Sequence, residues 1–292
     1  LMFGDMVFEM TRSFNGKQFK LKEHLQRLYY GLKILRIPIN HSIEELEGIC
    51  YKTIEQNQDA FEAHDEHRLM INVSRGPLGI YSSIFNNKIE PTVIVADFPL
   101  KWTVAGMDVL IDQGINAVIT SQRAIPAHLL EPKIKNRSRM HYQMANIEAS
   151  CWRGENNWAL MLDPDGFIAE GTGDNIFIVK DGIVITPEAR NILVGISRNY
   201  IIELCLEAGI PCIEKNIESY DMQIADESFM TATPFCLLPV TSLNGLKIGT
   251  GKMGLVTKQL HDLWSQKVDL DIFQQIRDYS KECKHLNSEQ PT

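Results

Sequence analysis

The stretch Glu170–Arg198 reads EGTGDNIFIVKDGIVITPEARNILVGISR and decides the fold. Two short apolar runs, Ile176–Val179 and Ile183–Thr186, lie on either side of an Asp181-Gly182 pair. Two β-rich runs around Asp-Gly predict a hairpin. A run with helical periodicity, Asn199–Ala208, follows them. Two strands followed by a helix indicate a mixed α/β domain.

The start of that helix carries its own signal. Gly195 is followed by Ile196 and by the hydroxyl residue Ser197. A glycine and a hydroxyl side chain at a helix N-terminus form a phosphate-binding cradle, because the first backbone N–H groups point outward. The sequence therefore predicts an anion site at this point.

The whole stretch resembles the signature of the class IV aminotransferases, which are the fold-type IV pyridoxal-phosphate (PLP) enzymes. The positions that agree are Glu170, Thr172, Asn175, Ile176, Phe177, Val184, Thr186, Leu193, Gly195, Ile196 and Arg198. So many constrained positions over 29 residues make an ordinary strand-strand-helix segment a poor alternative. The resemblance implies a two-domain α/β (α+β) fold. In it, a smaller N-terminal domain precedes a larger domain built on a β-barrel-like core with helices.

Composition limits the class of protein. The chain has 292 residues, of which 44% are hydrophobic and 23% charged, as in globular proteins. A net charge of −8 argues against a nucleic-acid or anionic-membrane partner. The six cysteines form no CxxC pair and no zinc spacing, so we expect no metal site. Scattered cysteines favour reduced thiols and a cytoplasmic protein.

The pattern of elements changes after a strand predicted at Thr92–Phe98. Pro99 and Gly106 mark a candidate linker. We therefore predict a small domain over residues 1–99, a linker over 100–106 and a large domain over 107–292.

Three local expectations complete the outline. A strand is predicted at Met107–Ile111, the last good helix at Gly254–Trp264, and a frayed end from Ser280. Near the start, Gly-Asp-x-Val-Phe-Glu at Gly4–Glu9 resembles the family, whose members carry one or two further strands before it. The beginning of this chain is accordingly expected to be trimmed.

Two more segments resemble phosphate-binding parts of the family. His24-Leu25-Gln26-Arg27-Leu28 lies within a predicted amphipathic helix, Leu21–Leu35, and matches a His-x-x-Arg-Leu motif. The resemblance implies that Arg27 binds the cofactor phosphate, where a guanidinium can engage two oxygens; the alternative is a solvent-facing arginine. Met230–Pro234 resembles a phosphate loop and makes Thr233 a ligand.

Two lysines compete for the role of Schiff-base lysine that the resemblance implies. Glu148 lies 13 residues beyond Lys135, and Glu170 lies 35 residues beyond it. Both gaps match family members, whereas Lys133 would lengthen each by two residues. Lys135 is therefore predicted as the cofactor-binding base, and Lys133 as a solvated loop charge. Glu170 is predicted to pair with the pyridine nitrogen of PLP.

Substrate recognition is less specific in the sequence. The candidates are Arg75, Tyr81, Arg139 and Tyr142. The segment after Lys135 departs from better-known members of the family. Its Arg137 and Arg139 either favour a carboxylate-bearing substrate or decorate a helix face.

The resemblance implies an aminotransferase that moves an amino group between an amino acid, branched-chain-like or D-, and a 2-oxo acid. PLP would lie between the two domains of a homodimer, and residues of the neighbouring subunit would complete the substrate pocket. A lyase similar to aminodeoxychorismate lyase is one alternative, which the Ser74-Arg75-Gly76 turn favours. An (R)-selective amine transaminase and a non-catalytic scaffold are the others.

Overall fold

The computed structural model describes residues 4–86 and 90–288. The chain divides into two compact units. The first holds the residues up to Trp102 together with Ile134–Arg139, and the second holds Thr103–Lys133 and everything from Met140 onward. The division into residues 1–99, 100–106 and 107–292 stays a prediction.

Helices and strands are interspersed along the chain. The helices are α1 (Leu21–Leu35), α2 (Ile43–Asn57), α3 (Lys101–Val104), α4 (Asp108–Gln113), α5 (Met140–Ser150), α6 (Ile196–Glu207), α7 (Ser219–Gln223), α8 (Leu255–Lys267) and α9 (Ile272–Ser288), with 3₁₀ turns at Gln58–Ala60 and Gly79–Tyr81. Within the described ranges, none of these helices has the length and apolar character needed to span a bilayer.

The strands are β1 (Met6–Met10), β2 (Ser13–Phe14), β3 (Lys17–Gln18), β4 (His67–Ser74), β5 (Thr92–Pro99), β6 (Ile115–Arg123), β7 (Asn157–Leu162), β8 (Ile168–Gly171), β9 (Asn175–Lys180), β10 (Ile183–Thr186), β11 (Cys212–Glu214), β12 (Glu227–Ala232), β13 (Cys236–Leu243) and β14 (Leu246–Lys247).

The first unit is built on a three-stranded antiparallel sheet in the order β1-β4-β5. Helices α1 and α2 share one buried apolar cluster with it. Leu25, Leu28 and Leu32 are fully or almost fully buried, because their spacing of three and four residues puts them on one face of α1. The sheet and its helices thus fix the position of the residues carried by β1 and α1.

The second unit contains a nine-stranded sheet in the order β11-β10-β9-β12-β13-β6-β7-β8, with β14 on β13. Strand β8 also pairs with β9, so six strands from β9 to β8 close into a ring. Phe177 and Phe229, which face each other across β9 and β12, stack with ring centroids 4.9 Å apart. The predicted α/β class with a barrel-like core is confirmed.

The hairpin predicted within Glu170–Arg198 is also confirmed. Strands β9 and β10 are antiparallel, with Lys180 opposite Ile183. The two turn residues between them, Asp181 and Gly182, have φ angles of 51° and 77°. Such left-handed turns match the right-handed twist of the strands, which explains the Asp-Gly pair.

Three local predictions are wrong. Met107–Ile111 is not a strand, because its apolar residues start helix α4, on which Leu110 and Ile111 are buried. A short apolar run does not distinguish the two states. The helix at 254–264 is not the last, since α9 follows it and buries Ile272, Phe273, Ile276 and Tyr279. Fraying from Ser280 is wrong as far as Ser288, and residues 1–3 and 289–292 lie outside the described residues.

Candidate active site

The predicted lysine lies on a segment that runs beside β1. The Phe8 N–H donates to the Lys135 carbonyl at 2.9 Å, and the Arg137 N–H donates to the Met6 carbonyl at 3.2 Å. These bonds fix the backbone on both sides of the lysine. The ammonium nitrogen of Lys135 lies 5.1 Å from the centroid of the Phe8 ring, within the range of a cation–π contact.

The competing lysine is in a different environment. Lys133 has a side chain that is 46% exposed and an ammonium group 3.2 Å from the Glu131 carboxylate. An exposed ion pair of this kind contributes little to stability and is typical of a solvated loop. Lys135 is half-buried. The contrast favours Lys135, whose assignment stays a prediction.

Arg27 is held by a buried carboxylate that sequence analysis did not select. Its Nε donates to Glu9 Oε1 at 2.6 Å and its Nη2 donates to Glu9 Oε2 at 2.8 Å. Burial by itself would raise the pKa of Glu9, but the charge of Arg27 and hydrogen bonds from His24 and Arg27 hold that pKa well below its usual range. Glu9 therefore stays ionised and fixes the plane of the guanidinium.

His24 completes this cluster. Its Nδ1 lies 2.8 Å from Glu9 Oε2. Burial lowers the pKa of His24, and the charges of Arg27 and Lys135 add to that effect, while Glu9 opposes it. The imidazole is therefore neutral at neutral pH, and because Glu9 accepts, Nδ1 carries the proton. Nε2 is buried and has no hydrogen-bond partner among the described residues.

In the second unit, Glu170 is the last residue but one of strand β8, and three donors hold its carboxylate. The Tyr142 hydroxyl donates to Oε1 at 2.8 Å. The Leu193 N–H donates to Oε2 at 2.9 Å, and Asn175 Nδ2 donates to the same oxygen at 3.3 Å. The side chain is buried, so this arrangement keeps a negative charge in a fixed position.

Asn175 also contacts the segment that leads into α6. Asn175 Nδ2 also donates to the Leu193 carbonyl at 2.9 Å. A Cβ atom on Gly195 would lie 2.1 Å from Asn175 Oδ1, so only glycine fits at this N-cap. In the described part of the chain, Gly195 as the N-cap residue gives α6 no side-chain cap. Its first N–H groups are thus available to an anion, at the positive end of the helix dipole.

The remaining predicted phosphate ligands are placed as follows. Ile196 and Ser197 form the first turn of α6, and Ser197 is buried. Thr233 is half-buried in the turn that follows β12. Each is therefore carried on the ring of strands or on the helix that packs against it, and not on a long loop.

Arg75 and Tyr81, two of the substrate candidates, lie in less specific surroundings. The guanidinium of Arg75 pairs with the Asp5 carboxylate and donates to the carbonyls of Leu35 and Arg36 at 2.7 and 2.8 Å. Tyr81 ends a 3₁₀ turn and is 44% exposed. Arg75 thus links the residue before β1 to the end of α1.

Arg139 and Tyr142 are each close to a predicted catalytic residue. Arg139 has Cζ 5.2 Å from the Phe8 centroid and donates from Nε to the Asn136 carbonyl at 2.8 Å. Tyr142 bonds to Glu170 and lies against His141, with ring centroids 4.2 Å apart. Tyr142 therefore supports Glu170 directly, a contact that spacing along the chain did not predict.

Comparison with known proteins decides the family. Residues 6–243 match the family described as amino-transferase class IV. The chain belongs to the class IV aminotransferases. A Methanocaldococcus jannaschii protein, provisionally named branched-chain-amino-acid aminotransferase, is 35% identical over 265 residues, which cover 90% of this chain and 86% of that protein.

Solved structures agree with the class IV assignment. The branched-chain amino acid aminotransferase of Escherichia coli superposes with a TM-score of 0.78 at 30% identity, covering 88% of this chain and 84% of that one. The T.th. branched-chain amino acid aminotransferase, crystallised with pyridoxamine 5'-phosphate, gives a TM-score of 0.80 at 27% identity, covering 91% and 86%. The predicted fold-type IV architecture is confirmed.

Class IV aminotransferases use PLP, and this chain is a PLP-dependent aminotransferase. The residues present fit that cofactor. The uncapped N-terminus of α6, with the close approach at Gly195, suits a phosphate, and the buried Glu170 carboxylate suits a protonated ring nitrogen.

Glu9 and His24 are the residues that sequence reasoning missed in this aminotransferase. In the sequence, Glu9 stands within the segment Gly4–Glu9 that resembles the family, and His24 stands within the His-x-x-Arg-Leu motif. A glutamate in the apolar strand Met6–Met10 was the available signal, because a buried charge requires a partner.

Asp174 is a second carboxyl group near Glu170. Its Oδ1 is shielded from water and has no hydrogen-bond partner within the described part of the chain. Burial, together with the charge of Glu170, raises the pKa of Asp174 to about 8, although a hydrogen bond from the Gly173 backbone opposes this. Asp174 is therefore mostly protonated at neutral pH, which leaves the negative charge on Glu170.

This pKa predicts a pH-dependent stability. A carboxyl group whose pKa is raised on folding favours the folded state when protonated, so its contribution is lost as pH rises from about 4 to about 8. We expect the free energy of unfolding of the wild type, relative to Asp174→Asn, to fall across that window and to level off above it. Urea denaturation of both proteins at a series of pH values measures this difference.

The control is Asp59→Asn, which changes an exposed carboxylate in a 3₁₀ turn and should follow the wild type at each pH. If the wild-type and Asp174→Asn curves run parallel between pH 4 and 8, the assigned protonation of Asp174 is wrong.

Proposed function

We propose that this aminotransferase transfers the amino group of branched-chain amino acids to a 2-oxo acid, with Lys135 and Glu170 as its catalytic residues. The observation that carries the catalytic assignment is the buried Glu170 carboxylate. Three donors hold it, and the loop that supplies one of them leads directly to the uncapped start of α6. The substrate class is supported by the names of the relatives in M. jannaschii and E. coli.

PLP, when bound, supplies an aldehyde that takes up the amino group and a ring that accepts electrons from the substrate Cα. Lys135 would hold the cofactor through its amine. The same amine, once free, would act as the base that takes the proton from the substrate Cα and then, as an acid, would give up that proton in the next step. Its segment is fixed by backbone hydrogen bonds to β1, which limits the positions that the amine can reach.

Glu170 holds a proton on the ring nitrogen, because a carboxylate fixed by three donors stabilises the charged form of the ring. Asp174, which is mostly protonated, adds no competing negative charge. Tyr142 orients the carboxylate by donating to Oε1.

The phosphate anchors are Arg27 and Thr233 together with the first turn of α6 at Gly195, Ile196 and Ser197. Glu9 orients Arg27 through two hydrogen bonds, so the guanidinium presents a defined edge to an anion. The helix contributes backbone N–H groups and a positive end of the dipole.

The donor assignment is tested by mixing the PLP-loaded protein with L- and D-amino acids and with amines. We expect L-leucine, L-isoleucine and L-valine to convert bound PLP to its amine form, and a 2-oxo acid to reverse the conversion. Glu170→Gln should retain PLP but turn over about a hundredfold more slowly or worse, because a neutral amide stabilises the charged ring poorly. Absorbance spectra and steady-state rates measure both effects.

Glu188→Gln is the matched control for this experiment, because Glu188 is an exposed glutamate in the loop before α6. It should retain the wild-type rate. Conversion by D-amino acids or amines alone would reject the branched-chain assignment, and near-normal turnover of Glu170→Gln would reject the role of Glu170.

A second experiment maps the attachment site. Borohydride reduction of the PLP-loaded protein should fix a pyridoxyl group on Lys135, because its amine is the predicted partner of the aldehyde. Peptide mass spectrometry locates the label. Lys133→Ala should keep it, and Lys135→Ala should lose both the label and the visible absorbance band. A label on Lys133 in the wild type would reject the assignment.

We also propose a homodimer. Closed two-fold dimers are the commonest oligomers, and Ile80 and Ile84 of the first unit are 77% and 74% exposed, which suits burial by another chain. Sedimentation of the PLP-bound protein should give twice 33.2 kDa or a multiple of it. A fully active monomer at micromolar concentration contradicts this proposal.

A cytoplasmic location is proposed as well, supported by six free cysteines. Cell fractionation checks it, and recovery outside the cytoplasmic fraction would reject it.

A further inference from the structure

Three cationic side chains of the first unit gather on one aromatic ring. Arg137 has Cζ 3.7 Å from the centroid of Phe8, whereas Lys135 Nζ and Arg139 Cζ lie 5.1 and 5.2 Å from it. Lys135 and Arg137 are two residues apart on a segment bonded to β1, and the charged ends of both side chains lie over the Phe8 ring. Arg137 therefore lies on the same aromatic ring as the predicted catalytic lysine.

Arg137 is held in place by neutral groups. Its Nε and Nη2 donate to Asn72 Oδ1 at 3.2 and 2.8 Å, and Nη2 also contacts Met70 Sδ at 3.0 Å. Among the described residues, no carboxylate bonds to this guanidinium and Nη1 donates to none of them. The contacts with Asn72, Met70 and the Phe8 ring fix its position but leave its charge without an anion.

The charges around Arg137 have the same sign as its own. Burial lowers the pKa of Arg137, and the charge of Arg139 lowers it further. Burial lowers the pKa of Arg68 in the same way, with Arg137 as the second cause. Like charges that are partly removed from water repel one another strongly, so an anion that binds among them relieves that repulsion.

Three carboxylates of this unit are engaged with other side chains. Glu9 bonds to Arg27 and His24, Asp5 pairs with Arg75, and Asp97 Oδ2 lies 2.8 Å from His67 Nδ1. The neutralising group for Arg137 is therefore not supplied by these side chains. A guanidinium with a fixed plane is well suited to a carboxylate, which it can bind through two parallel hydrogen bonds.

We propose that Arg137 binds a carboxylate of the substrate and so determines which acids the enzyme accepts. This inference rests on the proposed function, because both the amino acid and the 2-oxo acid carry a carboxylate on the carbon next to the reacting centre. A dicarboxylic substrate carries a second one on its side chain. Arg137 would bind either carboxylate through the same hydrogen bonds. The experiment distinguishes which of the two carboxylates it binds.

The test uses the PLP-loaded protein and three unreactive probes: glutarate, 4-methylpentanoate and 4-methylpentan-1-ol. Arg137→Met keeps a long side chain over Phe8 but removes the charge. If Arg137 binds a carboxylate, this variant should lose about tenfold or more in affinity for an acid, and none for the alcohol. Isothermal titration calorimetry measures the three dissociation constants.

The pattern of loss identifies which carboxylate is bound. Equal losses for glutarate and 4-methylpentanoate assign Arg137 to the carboxylate that the two acids share. A loss confined to glutarate assigns it to the side-chain carboxylate of a dicarboxylic substrate. In steady-state assays, the same variant should raise KM for the affected 2-oxo acid more than it lowers kcat, and Arg137→Lys should restore part of the affinity.

Arg277→Met is the control, since Arg277 lies on α9 and donates to Asp112 at 2.8 Å; it should bind every probe like the wild type. The proposal is overturned if Arg137→Met binds both acids as tightly as the wild type. It is also overturned if the variant loses the alcohol or PLP to the same extent, because Arg137 would then only support packing. Failure of every amino acid to convert bound PLP would reject the proposed function. The dissociation constants of the acids test only the role of Arg137.

Discussion

The hydrogen bonds around the Glu170 carboxylate connect the parts of the second unit on which the proposed chemistry depends. They join the end of β8 to Asn175 at the start of β9, to the loop that contains Leu193, and to Tyr142 on α5. A buried carboxylate is costly unless donors surround it, so these elements cannot separate without exposing an unpaired charge. The negative charge and the start of α6 are consequently held in a fixed relation.

Buried charge organises the first unit as well, but in two different ways. Arg27 is neutralised by Glu9, and the pair is completed by a neutral His24. Arg137, by contrast, rests on neutral acceptors and an aromatic ring. The first arrangement is electrostatically satisfied by the protein itself. The second leaves a half-buried positive charge without a carboxylate partner among the described residues, which is the basis of the proposed binding role.

The places where local pattern failed have a common cause. Helix α4 and strand β6 both contain short apolar runs, and only their packing decides which conformation each run adopts. The buried residues of helix α9 are likewise separated by polar ones. Its Ile272 and Ile276 become an apolar face only when the second unit provides a surface to cover them.

The sequence by itself determined the family, the cofactor, the barrel-like core and the Asp181-Gly182 hairpin. It could do so because those features depend on local spacing: a turn that needs positive φ angles, a glycine at a helix start and a glutamate at a fixed distance from both. Only the tertiary structure decided that Glu9 holds Arg27, that Tyr142 serves Glu170, and that Arg137 lies on the Phe8 ring. These contacts join residues 18 to 129 positions apart, and no local preference of the chain encodes them. They arise when sheets and helices pack, because a charge that packing removes from water is costly unless another side chain or a bound ligand neutralises it.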